Sequence, residues 1–148
     1  MPTSSSSISG EELSELKESV LKATLNNKPL PGSNQPLAFP DLPFILTQPG
    51  IYVVDHDIKH SIPLEEIHKT VQVLSEDVLP EKAGESGKVI YFQFRTANQE
   101  KDNLSLTLEA KTFFSADRRK QILTSVQMQF KRLGNEWKIV DDPISLSS

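Results

Sequence analysis

The sequence predicts an α+β domain: a curved four-stranded antiparallel sheet, plus one short strand, wrapped on two helices as a cone-like, two-layer unit. Three observations predict it. Four runs in the last third alternate apolar and polar residues and are joined by short connections. Two upstream segments repeat apolar residues every three or four positions. One face of the alternating runs carries no ionisable side chain until the strand ends, so it needs amphipathic helices laid across it.

Residues 1–8 are serine-rich, carry nothing to bury and are expected as a disordered lead to a single domain over 9–142, with 143–148 as a tail. Ser9-Gly10-Glu11-Glu12 has the form of a capping box and predicts a helix start. Leu13, Leu16, Val20 and Ala23 then form one stripe that ends near Asn26-Asn27, before Pro29.

The segment from Pro29 to Pro49 holds six of the ten prolines, together with Leu30, Leu37, Phe39, Leu42, Phe44, Ile45 and Leu46. Proline at that density argues against helix or central strand, and the apolar content argues against free exposure. Extended chain draped over the core is expected. Pro40-Asp41-Leu42-Pro43 fits a minimal polyproline ligand, but no arginine or lysine flanks it.

Ile51 to Val54 reads as the short strand. Ser61, Pro63, Glu65 and Glu66 supply helix N-terminal chemistry, and Leu64, Ile67, Val71, Leu74 and Val78 give a second helical stripe that stops at Pro80. Lys82 to Lys88 is a loop on composition and lacks the pattern of a phosphate-binding loop. The four alternating runs are Val89–Ala97, Leu104–Phe114, Gln121–Leu133 and Glu136–Asp141.

Residues two apart share a face. The apolar face takes Ile90, Phe92, Phe94, Leu104, Leu106, Leu108, Ile122, Val126, Met128, Phe130, Trp137 and Ile139. The other takes Tyr91, Gln93, Arg95, Ser105, Thr107, Glu109, Lys111, Ser125, Gln127 and Gln129, and can stay in water.

Helix, short strand, helix and a long meander ending in Gly134, Trp137 and Ile139 resemble the nuclear transport factor 2-like superfamily, with a cystatin-like sheet on a helix as the neighbouring alternative. The usual N-terminal helical pair is reduced here to one helix and the proline-rich run. The resemblance implies that the open sheet face pairs two copies in a homodimer. It also implies that enzymatic members use an aspartate or histidine inside the cone as general base beside a tyrosine, for which Asp55, His56 and Tyr52 are this chain's candidates.

The stretch Val54-Asp55-His56-Asp57-Ile58-Lys59-His60 is the one concentration of reactive side chains. His56, His60 and Asp57 or Asp55 supply the types for a two-histidine, one-carboxylate metal set, but a strand-to-helix loop does not bring them to one point. No metal and no cofactor are expected. The chain has no cysteine, which excludes thiolate chemistry, and a net charge of -4 with scattered signs, which gives no footprint for nucleic acid. No run reaches the length of a membrane span and no signal peptide is visible, so a cytoplasmic protein is expected. The preferred functional expectation is a non-catalytic binding or assembly module for a protein partner. Its contacts are expected at the cone mouth, through Phe39, Leu42 and Phe44, or at the polar sheet face, through Tyr91, Gln93, Gln127 and Gln129. The alternatives are an isomerase- or dehydratase-like or metal-binding enzyme centred on Asp55 and His56, and a carrier of a small apolar ligand.

Overall fold

The computed structural model describes residues 10–65, 68–100, 102–134 and 136–147. The serine-rich lead and Ser9 of the expected capping box lie outside the described residues. Helix α1 spans Gly10–Leu25 and buries Leu13, Leu16, Val20, Leu21 and Ala23, with Glu11 and Glu12 in its first turn. It ends where two asparagines stand together. Asn27 adopts φ 57°, the Lys28 amide donates to the Ala23 carbonyl at 2.8 Å, and the Asn27 amide donates to that of Thr24. This is the paired bonding of a Schellman stop, with asparagine in the left-handed position that glycine usually takes.

The strands are β1 (Ile51–Val53), β2 (Ile62–Leu64), β3 (Lys69–Val73), β4 (Lys88–Glu100), β5 (Asn103–Phe114), β6 (Arg119–Leu133), β7 (Glu136–Ile139) and β8 (Ile144–Ser147). They form one mixed, strongly curled sheet in the order β2-β3-β1-β4-β5-β6-β7, with β8 following β7 along the same side of β6. The α+β class holds, and β4 to β7 are the antiparallel meander read from alternation. Among the described residues, however, the sheet has eight strands rather than four and one, and the segment expected as a tail supplies the last of them.

The second helix is not found among the described residues of its span. Its N-terminal half is the β2–β3 hairpin, in which Ile62 and Leu64 face inward and Pro63 outward. Proline is tolerated because β2 is an edge strand and its missing amide interrupts no ladder. Thr70, Val71 and Val73 favour extended backbone, and β3 runs parallel to β1, which is parallel to β4 as well. Beyond β3 come a 3₁₀ turn (Glu76–Val78), a short helix and a second 3₁₀ turn (Gly84–Ser86).

Two further helices are short. The proline-rich segment is not all extended: α2 covers Leu42–Leu46, with Pro43 in its first turn, where a missing amide leaves no intrahelical bond unmade. Helix α3, Leu79–Ala83, likewise begins with a proline in its first turn. Among the described residues no helix is long and apolar enough to cross a membrane.

The main core lies between α1 and the inward face of the sheet, where Val20, Leu21, Phe92, Leu106, Leu108 and Met128 are fully buried. Each contributes roughly 1.5–3 kcal/mol relative to exposure. A bulge opposite Ala110 and Lys111 pairs Ala110 with Thr124 but Lys111 with Ile122, so β6 changes phase there. Ile122 therefore shares the face of Lys111, not the apolar face expected from uninterrupted alternation, and Leu123 packs on the core instead. A second, smaller cluster forms on the outward face, where Leu79 and Ala83 of α3 cover Val54, Val89, Tyr91 and Phe113. Tyr91 is thus buried, which corrects its expected place in water.

Candidate functional site

Val54 continues the parallel pairing of β1 by donating its amide to the Phe92 carbonyl, and the chain then turns away. Asp55, the next residue, fills the place of the missing strand with its side chain. Oδ2 accepts the Phe94 amide of β4 at 3.3 Å, and Oδ1 accepts the Asp57 amide at 2.9 Å, an Asx turn that sets the loop. Its carboxylate is almost entirely out of water.

The counter-charge comes from α1. Lys17 lies four residues after Leu13 and three before Val20, so the helix period carries it into the buried stripe, where it is 4% exposed. Its Nζ donates to both oxygens of Asp55 at 3.1 Å and to Oδ2 of Asp57 at 2.7 Å, and lies 5.8 Å from the centre of the Phe94 ring. The Ser14 hydroxyl donates to the Asp57 carbonyl, a second tie between helix and loop. Beside this triad a groove of about 940 Å³ opens where β1 and β3 end and β4 runs on, with Leu13, Lys17, Asp55, Leu74, Phe94 and Arg95 among its walls.

The histidines take no part in the triad. The His56 ring is 92% exposed, with Nε2 3.6 Å from Oδ1 of Asp57, and the His60 ring is 81% exposed beside Glu18. Asp55, His56 and Asp57 bring one potential ligand atom each within 4.8 Å of one another, a group that does not include His60. The Lys17 ammonium already stands between its two carboxylates. His68 sits in the turn between β2 and β3, with φ 52°. Tyr52 packs on the outward cluster under Lys82 and does not line the groove.

The candidate binding residues separate. Phe39 is core, edge-on to Phe92 at 5.8 Å, Leu42 packs partly buried on the same core, and Phe44 is 56% exposed. On the outward face Gln93 accepts from Lys111 at 2.8 Å, and the amides of Gln127 and Gln129 donate to the Ser105 hydroxyl at 2.9 and 3.2 Å. Glu109 is buried beneath them, within 3.5 Å of Arg95 and Lys111. The Tyr91 hydroxyl is buried with no hydrogen-bond partner among the described residues. Burial first, and then the charges of Glu76 and Glu109, push its pKa up to about 12.

Sequence reasoning singled out Asp55 but missed Lys17 and the burial of the pair. The signal was present: a lysine inside an apolar helical stripe requires a buried partner. No known protein family, curated protein or solved structure matches this chain, so its function is argued from the geometry above.

Proposed function

We propose that the chain is a non-catalytic binding or assembly module that meets a protein partner through the outward face of β4–β6. One observation carries the non-catalytic half: Asp55 accepts two bonds from Lys17, one from the Asp57 amide and one from the Phe94 amide, two on each oxygen. A carboxylate so saturated has no lone pair left to take a substrate proton, and an ammonium held between two carboxylates is the opposite of an activated amine. The groove is therefore framed by a structural clasp.

The occupant we assign to the outward face is a second copy of this chain. Gln93, Gln127 and Gln129 each both donate and accept, so one patch can serve as its own complement across a two-fold axis. Their lateral bonds order them beforehand, which lowers the entropic cost of association. Kinship with nuclear transport factor 2-like proteins belongs to the same reading, supported by a curled sheet wrapped on α1 and by the terminal hairpin. Sedimentation of the wild type and of a Gln127→Lys, Gln129→Lys variant tests it. A dimer that the variant abolishes is the expected result, and a wild type that stays monomeric at high concentration removes it.

The groove itself favours a second reading, an enzyme or metal protein centred on Asp55 and His56. Elemental analysis together with small-molecule binding to Asp55→Ala and His56→Ala variants separates the two. Stoichiometric metal, or binding lost in both variants while the fold persists, would favour this reading.

A further inference from the structure

The segment from Ser75 to Gly87 crosses the outward face as a strap. It is pinned at both ends: the Leu74 amide donates to the Val53 carbonyl, and the Ser115 amide donates to that of Gly87, each at 2.9 Å. Between the pins only Leu79 and Ala83 are buried. Further ties are an ion pair of Glu76 with Lys120, both partly in water, Lys82 lying 5.8 Å from the centre of the Tyr52 ring, and, at the far end, the Ser115 hydroxyl donating to the Gly87 carbonyl at 3.2 Å and the Ser86 hydroxyl to that of Lys88 at 3.0 Å. Gly84 at φ 55° and Gly87 at φ 77° stand at its far end in backbone conformations that residues with a side chain rarely adopt. Directly beneath lies the Tyr91 hydroxyl, deprived of water and given no partner among the described residues.

We propose that this strap is a gate: it opens as a local unit about Gly84 and Gly87, without unfolding of the sheet, and uncovers Tyr91, Val89 and Phe113 next to Gln93 and Lys111. Two opposed contributions set its balance. Leu79 and Ala83 hold the strap down, while the unsatisfied phenol, which regains water on opening, favours release. Few buried contacts and an exposed backbone are the marks of a segment that opens below the global stability. The gate's regulatory role rests on the reading of the outward face as a binding surface: opening enlarges that face and adds an aromatic centre to a polar rim, the usual anatomy of an interface.

Native-state hydrogen exchange on the full chain tests the opening itself, so its outcome does not depend on any partner. The informative amides are Leu79, bonded to the Glu76 carbonyl, and Gly84, bonded to that of Pro80. They are expected to exchange at least about 100-fold faster than Leu106 and Leu108, with a denaturant dependence that is measurable but smaller than that of the central strands, because opening exposes only the strap and the patch beneath it. Tyr91→Phe removes the unsatisfied hydroxyl and is expected to slow them about tenfold. Exchange of Leu79 and Gly84 at the rate and denaturant dependence of the central strands would overturn the gate, as would a Tyr91→Phe variant with unchanged rates. A working gate in a chain that never self-associates would leave the gate standing and retire the dimer.

Discussion

At the scale of single residues, the Lys17–Asp55 pair is the most consequential interaction. Burying two charges is expensive, and their mutual attraction offsets that cost only while both remain. Asp55→Ala leaves a buried ammonium with Asp57 alone and is expected to lower the unfolding free energy by about 3–5 kcal/mol. Lys17→Met combined with Asp55→Asn removes both charges and is expected to cost much less than the sum of the single changes. Urea unfolding of the double-mutant cycle reads this coupling, and additive losses would mean that the pair does not act as a unit. Tyr91 supplies a second test. Its folded-state pKa of about 12 lies above the ordinary tyrosine value of 10. The folded chain therefore keeps the proton that the unfolded chain gives up, so this contribution is full below about pH 10 and is lost as pH rises through about 12. Phenolate absorbance is expected to show one tyrosine titrating near pH 12, absent from Tyr91→Phe, and that variant is expected to gain about 1 kcal/mol near neutrality because an unsatisfied hydroxyl is gone.

At the scale of elements, legibility followed the strength of local pattern. Helix α1 and strands β4 and β5 each carry one period over many residues, with turn chemistry between the strands, and the alternation of β4 to β7 marked the inward face up to the bulge beside Thr124. Residues 61–78 failed because two patterns coexist there. Leu64, Val71 and Val78 fit a helical stripe, while Ile62, Leu64, Val71 and Val73 fit two strands, and pairing with β1, a non-local contact, decided between them. Neither the phase change in β6 nor the partner of Lys17 could be read locally, since each depends on residues far along the chain. The loop before α2 shows what such a contact demands. Gly32 has φ 85°, and a Cβ placed there would lie 2.6 Å from that of Lys138. This close approach lets the Pro31 carbonyl accept the Ile139 amide at 2.9 Å, so the loop covers the edge of β7. Gly32→Ala is expected to cost about 2 kcal/mol in thermal unfolding, through strain and loss of that edge bond. A loss below about 0.5 kcal/mol would show that the loop yields freely.

Across the whole molecule, each surface of the one sheet carries a buried cluster, the larger between α1 and the inward face and the smaller under α3 on the outward face. The inward face packs against α1 and the proline-rich segment, and the groove beside Lys17 and Asp55 opens at the end of β1 and β3. The outward face divides into a polar field and a strapped aromatic patch. Phe39 and Phe44, five positions apart in the proline-rich segment, differ in burial and therefore in what they contribute to folding. Phe39 packs against Phe92 inside the core, so Phe39→Ala is expected to cost about 3–5 kcal/mol. Phe44 is mostly in water, so Phe44→Ser is expected to shift stability by no more than about 0.5 kcal/mol. Denaturant melts of the two variants give the comparison. If Phe44→Ser proved as damaging as Phe39→Ala, α2 would be part of the scaffold; if stability holds, its exposed ring is surplus to folding and free to serve recognition.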